Sequence, residues 1–571
     1  MRIISFILSV IMSVFSFLPC FKDEMKVDAV MKDLPGDAYS FNDENGVSVH
    51  DPSLFKAKDG TYYAYGTHIT TAKSTDLINW QTVSSGVYDS NSLLVPEGKT
   101  LRQALSEPFS WCDAAQVQWN TPENEWQTNV WAPSVVYNKV MRKYCYYGST
   151  SLFGTANSVI WMATSKNPEG PFVYENCLLY SGFNKHITAE GDIMYPTHYK
   201  FTNLDELNKT LVYTKEQIEN SGWFHWWDGY DNSYGKAPNC IDPAVFYDEK
   251  GNLWMSYGSY SGGTYIVPLS KTTGMPDFYK MKRTKGYDMY FGKKLLSTNE
   301  ETEGSGEGPF ILYDKETDYY YLFITYGFLN AAGGYNIRQY RSKNPDGPYV
   351  DIMGQDGNEM KSTGLKISGN YGFPGEGKAY LSSGHSSYLT ESDGRIFEAF
   401  HTRYNDGYSG YFNMKIHQMV RTENGWLTPL PLPYKGETVN KLGFDPSIIF
   451  GQWHLVDLGS ATVKAETADG VTDFDSSVAP AQKVVFTEKG AINGFTDYIP
   501  SAFNATEKSE SVTGTFNYKR GSEFITITLG NVEYNGVLCE MTGKNGRRYI
   551  ALSAVGSDNS TLLGLKEISA K

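Results

Sequence analysis

The chain has 571 residues, with 50 Lys and Arg against 64 Asp and Glu, and a formal net charge of −14. This negative charge disfavours binding to nucleic acid or to an anionic membrane surface, since both require clustered positive charge. Only 20% of the residues are charged, while 15% are aromatic and 55 are glycine. Such a composition excludes a disordered chain or a coiled coil and favours β structure.

The first 20 residues have the pattern of a signal peptide. A short basic start precedes an apolar run from Ile3 to Leu18, which is too short to predict a membrane-spanning helix. Cys20 stands where a bacterial lipoprotein signal is cut and lipidated, although Pro19 fits that motif badly. We therefore expect an exported protein, either a lipoprotein at the outer membrane or cell surface, or a secreted protein that loses Cys20 with the signal. A lipid anchor would be its one attachment to a membrane.

The other five cysteines are scattered and contain no C-x-x-C pair, so they indicate neither a zinc site nor a complete disulfide framework. We expect buried free thiols at these positions: Cys112, Cys145, Cys177, Cys240 and Cys539.

One sequence phrase recurs five times along the chain. It consists of a polar or small opening, an apolar strand, a turn with Asp, Gly or Lys, and an aromatic-rich second strand. The first strands are His50–Phe55, Trp131–Tyr137, Ile241–Tyr247, Glu307–Tyr313 and Gly384–Leu389. Five hairpins, each followed by room for two more strands, predict an all-β fold with a five-bladed β-propeller over residues 40–435.

Two segments do not follow the phrase. Residues 183–240 form a long insertion whose aromatic cluster, Gly222–Tyr230, suits either a loop over a cleft or ordinary packing. Residues 444–571 show short alternating strands and predict a separate small β-barrel or sandwich domain.

The residues that open the five repeats are expected to converge near the axis of the propeller, because each blade places its first strand on the central channel. These residues are Asp51, Trp131, Asp242, Glu307 and His385. Three carboxylates in one pocket match the requirements of an inverting glycosidase: a general base, a general acid, and a neighbouring charge that raises the pKa of the acid. The pattern alone does not say which carboxylate has which role.

Taken singly, these residues have simpler interpretations. An Asp before Pro is often a turn former, and only the repeat register favours a site role for Asp51 and Asp242. Glu376 has glycine neighbours like those of Glu307, but no repeat follows it, so it is interpreted as a loop residue. His50 is expected to pack rather than to act in catalysis.

These motifs resemble glycoside hydrolase family 43, the five-bladed propeller enzymes that act on arabinan and xylan. The resemblance covers most of residues 45–435, and its motifs are specific together although each is weak alone. It is strongest to the two-domain endo-α-1,5-L-arabinanases, and Gly451–Val456 is similar to the opening of their C-terminal barrel. The matching motifs are His50–Ser53, Asn129–Pro133, Asn157-Ser158, Ile241–Pro243, Glu307–Phe310 and Gly384–Ser386.

The resemblance implies a role for each residue. Asp51 would be the general base, Glu307 the general acid, and Asp242 the modulator of the pKa of Glu307. Trp131, whose opening position also favours a sugar-stacking platform, would bind substrate together with Asn157 and Ser158. His385 would hold one calcium ion surrounded mainly by water; the alternative is a channel histidine that only forms hydrogen bonds.

The expected function is therefore endo-acting, inverting hydrolysis of α-1,5-L-arabinan by a monomeric enzyme. One departure concerns Gly258–Gly263, where arabinanases often have a Trp and this chain has Tyr260. Two alternatives remain open: an exo-acting α-L-arabinofuranosidase or β-xylosidase, and a non-catalytic carbohydrate-binding propeller.

Overall fold

The computed structural model describes residues 47–119, 129–151, 157–187, 193–194, 202–223, 225–226, 237–297, 306–359, 364–404, 412–468, 471–474, 477–498 and 508–568. The predicted signal segment 1–20, with Cys20, lies outside these residues. Among the residues described, no helix is both long enough and apolar enough to span a membrane.

Five antiparallel four-stranded sheets form the blades of a β-propeller, as predicted. Blade 1 contains β1–β4 (Ser53–Lys56, Tyr62–Gly66, Thr70–Ser74, Trp80–Ser84), and blade 2 contains β5–β8 (Val130–Asn138, Lys143–Ser151, Ser158–Ser165, Val173–Ser181). A small sheet of β9–β11 follows (Asn184–Ile187, Ile193–Met194, His225–Trp226). Blade 3 contains β12–β15 (Ala244–Tyr247, Leu253–Tyr257, Thr264–Leu269, Lys293–Leu296), and blade 4 contains β16–β19 (Glu307–Asp314, Tyr319–Tyr326, Asn336–Ser342, Leu365–Lys366). Blade 5 contains β20–β23 (Tyr380–Thr390, Ile396–Tyr404, Asn413–Arg421, Leu427–Pro429).

The first strands of the blades pack side by side in a closed ring, in the order β1, β5, β12, β16, β20 and back to β1. Serines at one position of the repeat join neighbouring blades. Ser387 Oγ accepts a hydrogen bond from Leu54 N at 2.8 Å, and Ser134 Oγ accepts one from Val245 N at 3.0 Å. Ser53 Oγ lies 3.4 Å from Val135 N in the same arrangement. The serine of the repeat therefore satisfies a buried backbone donor of the adjacent blade.

Each blade begins with one residue in the left-handed backbone region, with φ between 36° and 61°. In chain order these residues are Asp51, Ala132, Asp242, Gly308 and His385. This conformation turns the chain sharply just before β1 and β12 and within β5, β16 and β20, and it costs free energy for every residue type except glycine. Trp131 and Glu307 precede this position by one residue. The five residues named as openings are therefore not equivalent in the repeat, contrary to the expectation that treated them alike.

The described part of the propeller also contains α-helices: α1 (Leu101–Ala104), α2 (Ser106–Trp119), α3 (Asn203–Lys209), α4 (Lys215–Glu219) and α5 (Phe278–Arg283). The sequence did not indicate α2, although its Phe109, Trp111 and Cys112 are buried in the core shared by blades 1 to 3. Within the 183–240 insertion, Trp223 is buried and donates a hydrogen bond to Asp288 at 2.8 Å, so it packs against blade 3. Much of the aromatic cluster after Trp223 lies outside the described residues.

The C-terminal domain is a closed barrel of eight strands, which decides between the two predicted architectures. Its strands are β24 (Gly451–Asp457), β27 (Gln482–Phe486), β28 (Ala491–Asn493), β31 (Gly514–Tyr518), β32 (Phe524–Leu529), β33 (Val532–Thr542), β34 (Arg548–Gly556) and β35 (Thr561–Ile568). Two ribbons extend from it: β25 (Glu466–Ala468) with β26 (Val471–Asp473), and β29 (Thr496–Tyr498) with β30 (Lys508–Ser511).

An apolar cluster joins the barrel to blade 5. Tyr371, Leu430 and Leu432 of the propeller pack with Val537 and Met541 of the barrel. The five cysteines outside the signal segment are all buried and free, as expected.

Candidate active site

The predicted acidic residues meet where the inner strands begin. Asp51, Asp242 and Glu307 are all buried; the charge of Asp51 raises the pKa values of Asp242 and Glu307, and His385 interacts with all three carboxyl groups. The repeat register therefore brings together carboxylates from blades 1, 3 and 4 with an imidazole from blade 5.

Asp51 is surrounded by three histidines. His385 Nδ1, His50 Nε2 and His401 Nδ1 lie 3.1, 3.2 and 3.3 Å from its Oδ1 atom. Thr67 Oγ1 donates to the other oxygen, Oδ2, and accepts a hydrogen bond from Ala132 N at 2.9 Å. Thr67 thus connects the carboxylate of blade 1 to the first turn of blade 2.

These neighbours keep Asp51 ionised. Burial on its own would raise the pKa of the carboxyl, but His385, His50 and His401 outweigh it and hold the pKa well below its usual range. Burial lowers the pKa of His50 and that of His401, so both rings are held neutral. Burial would also lower the pKa of His385, but the charges of Asp51, Asp242 and Glu307 raise it. Asp51 and His385 therefore form the charged pair of the pocket.

Glu307 receives hydrogen bonds at both carboxyl oxygens. Ser259 Oγ donates to Oε2 at 2.9 Å, while Tyr335 Oη donates to Oε1 at 2.5 Å. Tyr260 Oη lies 3.4 Å from Oε1 and also donates to Gly327 O at 2.5 Å. The carboxyl group is thus fixed in orientation from two sides.

Glu307 and Asp242 are both held towards the protonated form. Burial is the main cause in each case, and the negative charge of Asp51 adds to it, so both pKa values rise. Asp242 Oδ2 accepts a hydrogen bond from Gly308 N at 3.2 Å, which attaches it to the turn that carries Glu307. The pocket therefore contains one ionised carboxylate and two carboxyl groups that resist ionisation.

Gly308 is required by the close approach of His385. A Cβ atom at Gly308 would lie 3.1 Å from the ring of His385, and the φ of Gly308 is +61°. Any other residue here would strain the turn and push against the imidazole.

The donor atoms around Asp51 can be compared with those that calcium prefers. The atoms are one carboxylate oxygen, Asp51 Oδ1, and three imidazole nitrogens, from His50, His385 and His401. Calcium instead takes six to eight oxygen ligands. These side chains alone do not fit calcium, so we derive no chemical step from a metal. A water-surrounded calcium ion at His385 stays a prediction.

The residues expected to bind substrate have different environments. Trp131 is partly exposed at the start of β5, one residue before Ala132. Asn157 and Ser158 are buried; Asn157 donates to Gly182 O at 2.9 Å, and Ser158 donates to Ser151 Oγ at 2.8 Å. These bonds hold both side chains at the start of β7, and their binding of substrate stays a prediction.

Sequence reasoning missed four contributors to the pocket. His50 was interpreted as a packing residue, and Tyr260 only as the loss of an expected Trp. His401 ends the fifth repeat phrase but was not singled out, and Tyr335 had no motif of its own. Glu376 is a loop residue as interpreted, and it contacts the barrel through Lys544 N and Tyr549 Oη at 2.6 and 2.5 Å.

Comparison with known proteins agrees with this geometry. Residues 194–427 match the model of glycosyl hydrolases family 43, and residues 431–564 match that of its C-terminal lipocalin-like domain. The extracellular endo-α-(1→5)-L-arabinanase of Thermotoga petrophila is 31% identical over 91% of this chain and 93% of its own length. The chain belongs to glycosyl hydrolase family 43.

Other members of family 43 extend the similarity. Extracellular endo-α-(1→5)-L-arabinanase 2 of Bacillus subtilis is 30% identical over 91% of this chain and 93% of its own length. The crystal structure of the family 43 protein YxiA of Bacillus licheniformis covers 91% of this chain and 98% of its own, with 30% identity and a TM-score of 0.69. Membership of family 43 makes this protein a glycosidase and confirms the predicted resemblance.

Proposed function

We propose that this family 43 glycosidase hydrolyses arabinan, and that it cleaves internal α-1,5-L-arabinofuranosidic bonds with inversion after export from the cell. The substrate and the location are supported by the names of the two similar relatives, both extracellular endo-arabinanases that align with nine-tenths of this chain. The mechanism is argued from the pocket itself.

The observation that carries the proposal is the divergence of pKa values among three carboxyl groups in one buried pocket. Asp51 has a lowered pKa, while Glu307 and Asp242 have raised ones. Groups whose environments push their pKa values apart are the acid and base pair that glycoside hydrolysis requires. Binding of sugar without hydrolysis does not require carboxyl groups whose pKa values differ.

In the proposed reaction, Glu307 protonates the oxygen that leaves as the glycosidic bond breaks. A water molecule attacks the anomeric carbon from the opposite face, and Asp51 takes one of its protons. Asp51 Oδ2 accepts a hydrogen bond from Thr67, and the second lone pair of that oxygen can receive the proton of the water. The products separate with Glu307 ionised and Asp51 protonated, and exchange with solvent restores both.

Asp242 is proposed to keep Glu307 in its working state. Its bond from Gly308 N places it beside the acid, and the charge of an ionised Glu307 raises the pKa of Asp242, so the two carboxyl groups oppose ionising together. Trp131 lies partly exposed at the start of β5, in blade 2, and is proposed as the platform on which a sugar ring stacks.

The test is product analysis on debranched linear arabinan, with xylan and an aryl arabinofuranoside in parallel. We expect a ladder of arabino-oligosaccharides from the wild type, and a loss of at least about 100-fold in kcat for Glu307→Ala and Asp51→Asn, since each removes an acid or base step. NMR of the first product should show the inverted anomer.

Other products would contradict parts of the proposal. Monosaccharide alone would show an exo-acting enzyme, and a retained anomer would assign Asp51 as a nucleophile. If the wild type bound arabinan without turnover, the binding-propeller alternative would replace the enzyme. Circular dichroism on both variants controls for loss of folding.

A further inference from the structure

The barrel reaches the catalytic pocket through the segment that follows β24. This segment, Leu458–Ala465, leaves the barrel and lies against blade 4 of the propeller. It packs behind the loop 327–335 between β17 and β18, which carries Tyr335 at its end.

The segment and the loop are joined by direct hydrogen bonds. Ala465 N donates to Ala332 O at 2.9 Å, and Asn336 Nδ2 donates to Thr462 Oγ1 at 2.9 Å. There is no spare room between them, because a Cβ atom at Gly334 would lie 2.2 Å from Val463 O. The residues on both sides of Tyr335 are therefore held by the barrel.

The propeller also has a buried cation that the same segment satisfies. Lys366, on β19, is 3% exposed, and its Nζ donates to Leu458 O at 2.8 Å and to Ala461 O at 2.6 Å. A buried ammonium group without such acceptors would be strongly destabilising. The buried ammonium group of blade 4 therefore depends on the segment for its hydrogen-bond acceptors.

A second contact leads from the segment to the pocket. Lys464 Nζ lies 5.0 Å from the ring centroid of Phe328, and Phe328 stacks on Tyr260 with centroids 5.8 Å apart. Tyr260 and Tyr335 are the two tyrosines at Glu307 Oε1. The segment thus supports both hydroxyl groups at that oxygen.

We propose that the barrel segment Leu458–Ala465 is a positioning element for the acid, which acts by holding Tyr335 and Tyr260 against Glu307. The inference rests on the proposed function, since it assumes that Glu307 donates the proton. The barrel is then part of the catalytic apparatus although it contributes no side chain that touches the substrate. Thr462 is a positioning residue of this segment, because its hydroxyl group accepts hydrogen bonds from Asn336, next to Tyr335, and from the buried Arg338.

The test uses Thr462→Val in the full-length protein, which removes the hydroxyl group and keeps the shape. Thr462→Ser restores the hydroxyl group, and Thr528→Val on β32 is the matched control in the barrel. Rates are measured on aryl glycosides of α-1,5-arabinotriose with a good leaving group, dinitrophenol, and a poor one, phenol, alongside linear arabinan.

A poor leaving group needs the proton from the acid, whereas a good one leaves with little help. We expect Thr462→Val to lose about 3- to 10-fold in kcat on arabinan and on the phenyl glycoside, with KM little changed, and much less on the dinitrophenyl glycoside. Thr462→Ser and Thr528→Val should match the wild type.

Equal losses on both aryl glycosides, or wild-type rates for Thr462→Val, would overturn the inference and leave the proposed function intact. A loss that Thr462→Ser did not recover would also overturn it. A wild type that cleaved none of these arabinosides would instead overturn the proposed function, and this inference with it.

Discussion

At the scale of single residues, the pocket separates the protonation states of chemically similar groups. Asp51 and Asp242 occupy the same position of the repeat, with φ values of 52° and 57°, yet their pKa values shift in opposite directions. Both are buried, and the difference arises because three imidazole rings face Asp51, whereas the charges of Glu307 and Asp51 add to the burial of Asp242. Position in the repeat brings a carboxylate to the pocket, and its neighbours decide its charge.

The hydrogen bond from Tyr335 to Glu307 predicts a change in pH dependence. It stabilises the ionised form of Glu307 and so opposes the burial that raises the pKa. Tyr335→Phe should therefore raise the pKa of Glu307 further and move the alkaline limb of kcat/KM up by about 1–2 pH units, since a hydrogen bond to a charged group is worth about 1.5–3 kcal/mol. The measurement is a pH profile on linear arabinan.

Tyr279→Phe, at an exposed tyrosine of α5, serves as the matched control for that profile and should leave it unchanged. A limb that stayed in place, or moved to lower pH, would show that Tyr335 does not stabilise the charge of Glu307.

The nitrogen atoms around Asp51 predict inhibition by zinc. The side chains of His50, Asp51 and His401 offer three ligand atoms within 4.8 Å of one another, and imidazole with carboxylate is a ligand set that suits zinc. Zinc bound there would occupy the general base, so micromolar Zn²⁺ should abolish turnover and EDTA should restore it. His401→Gln should weaken the inhibition, and undiminished inhibition of that variant would place the zinc elsewhere.

At the scale of elements, the five inner strands could be predicted from sequence, but the equivalence of the residues that enter the pocket could not. The choice of opening residues gave Trp131 and Glu307 the same position as Asp51, whereas the left-handed turns align Ala132 and Gly308 with Asp51. A backbone conformation leaves little trace in a sequence when Asp, Ala, Gly and His all adopt it. The helix α2 was missed for a related reason, since its buried aromatic residues do not form a stripe with helical spacing.

The serines between the blades predict a graded loss of stability. Ser134→Ala leaves the buried Val245 N–H group without its acceptor and should cost about 1–3 kcal/mol. Ser53→Ala should cost less, because its distance to Val135 N is 3.4 Å and the bond is correspondingly weak. Guanidinium unfolding midpoints would measure both, and equal losses for the two variants would contradict the role given to these serines.

At the scale of the whole molecule, the two-domain organisation was evident from the end of the repeats, but the dependence of one domain on the other was not. Lys366 appears in the sequence as an ordinary surface lysine, and only the fold brings the carbonyl oxygens of Leu458 and Ala461 to it. Nor does the sequence indicate that Tyr335 is supported by the barrel segment, which lies far from it along the chain. Contacts of this kind join residues about 90 to 130 positions apart, and no local pattern reports them.

The shared apolar cluster predicts that the barrel and the propeller lose their structure together. Met541 is 1% exposed within it, so Met541→Ala should cost about 2–5 kcal/mol. Met353→Ala, at a methionine that is 56% exposed, should cost little. Calorimetry and residual activity after heating should shift together for Met541→Ala; activity that survived after the calorimetric transition would show that the propeller is stable without the barrel.

The closed ring has a consequence for the order in which the protein matures. Every blade is built from one continuous stretch of chain, so each can form as soon as it is synthesised, while the joint between β1 and β20 must wait for the fifth blade. His385 and His401, which hold the charge of Asp51, belong to that last blade. A partly synthesised chain therefore carries Asp51 without these two imidazole neighbours, and the pocket is complete only when blades 1 and 5 have met.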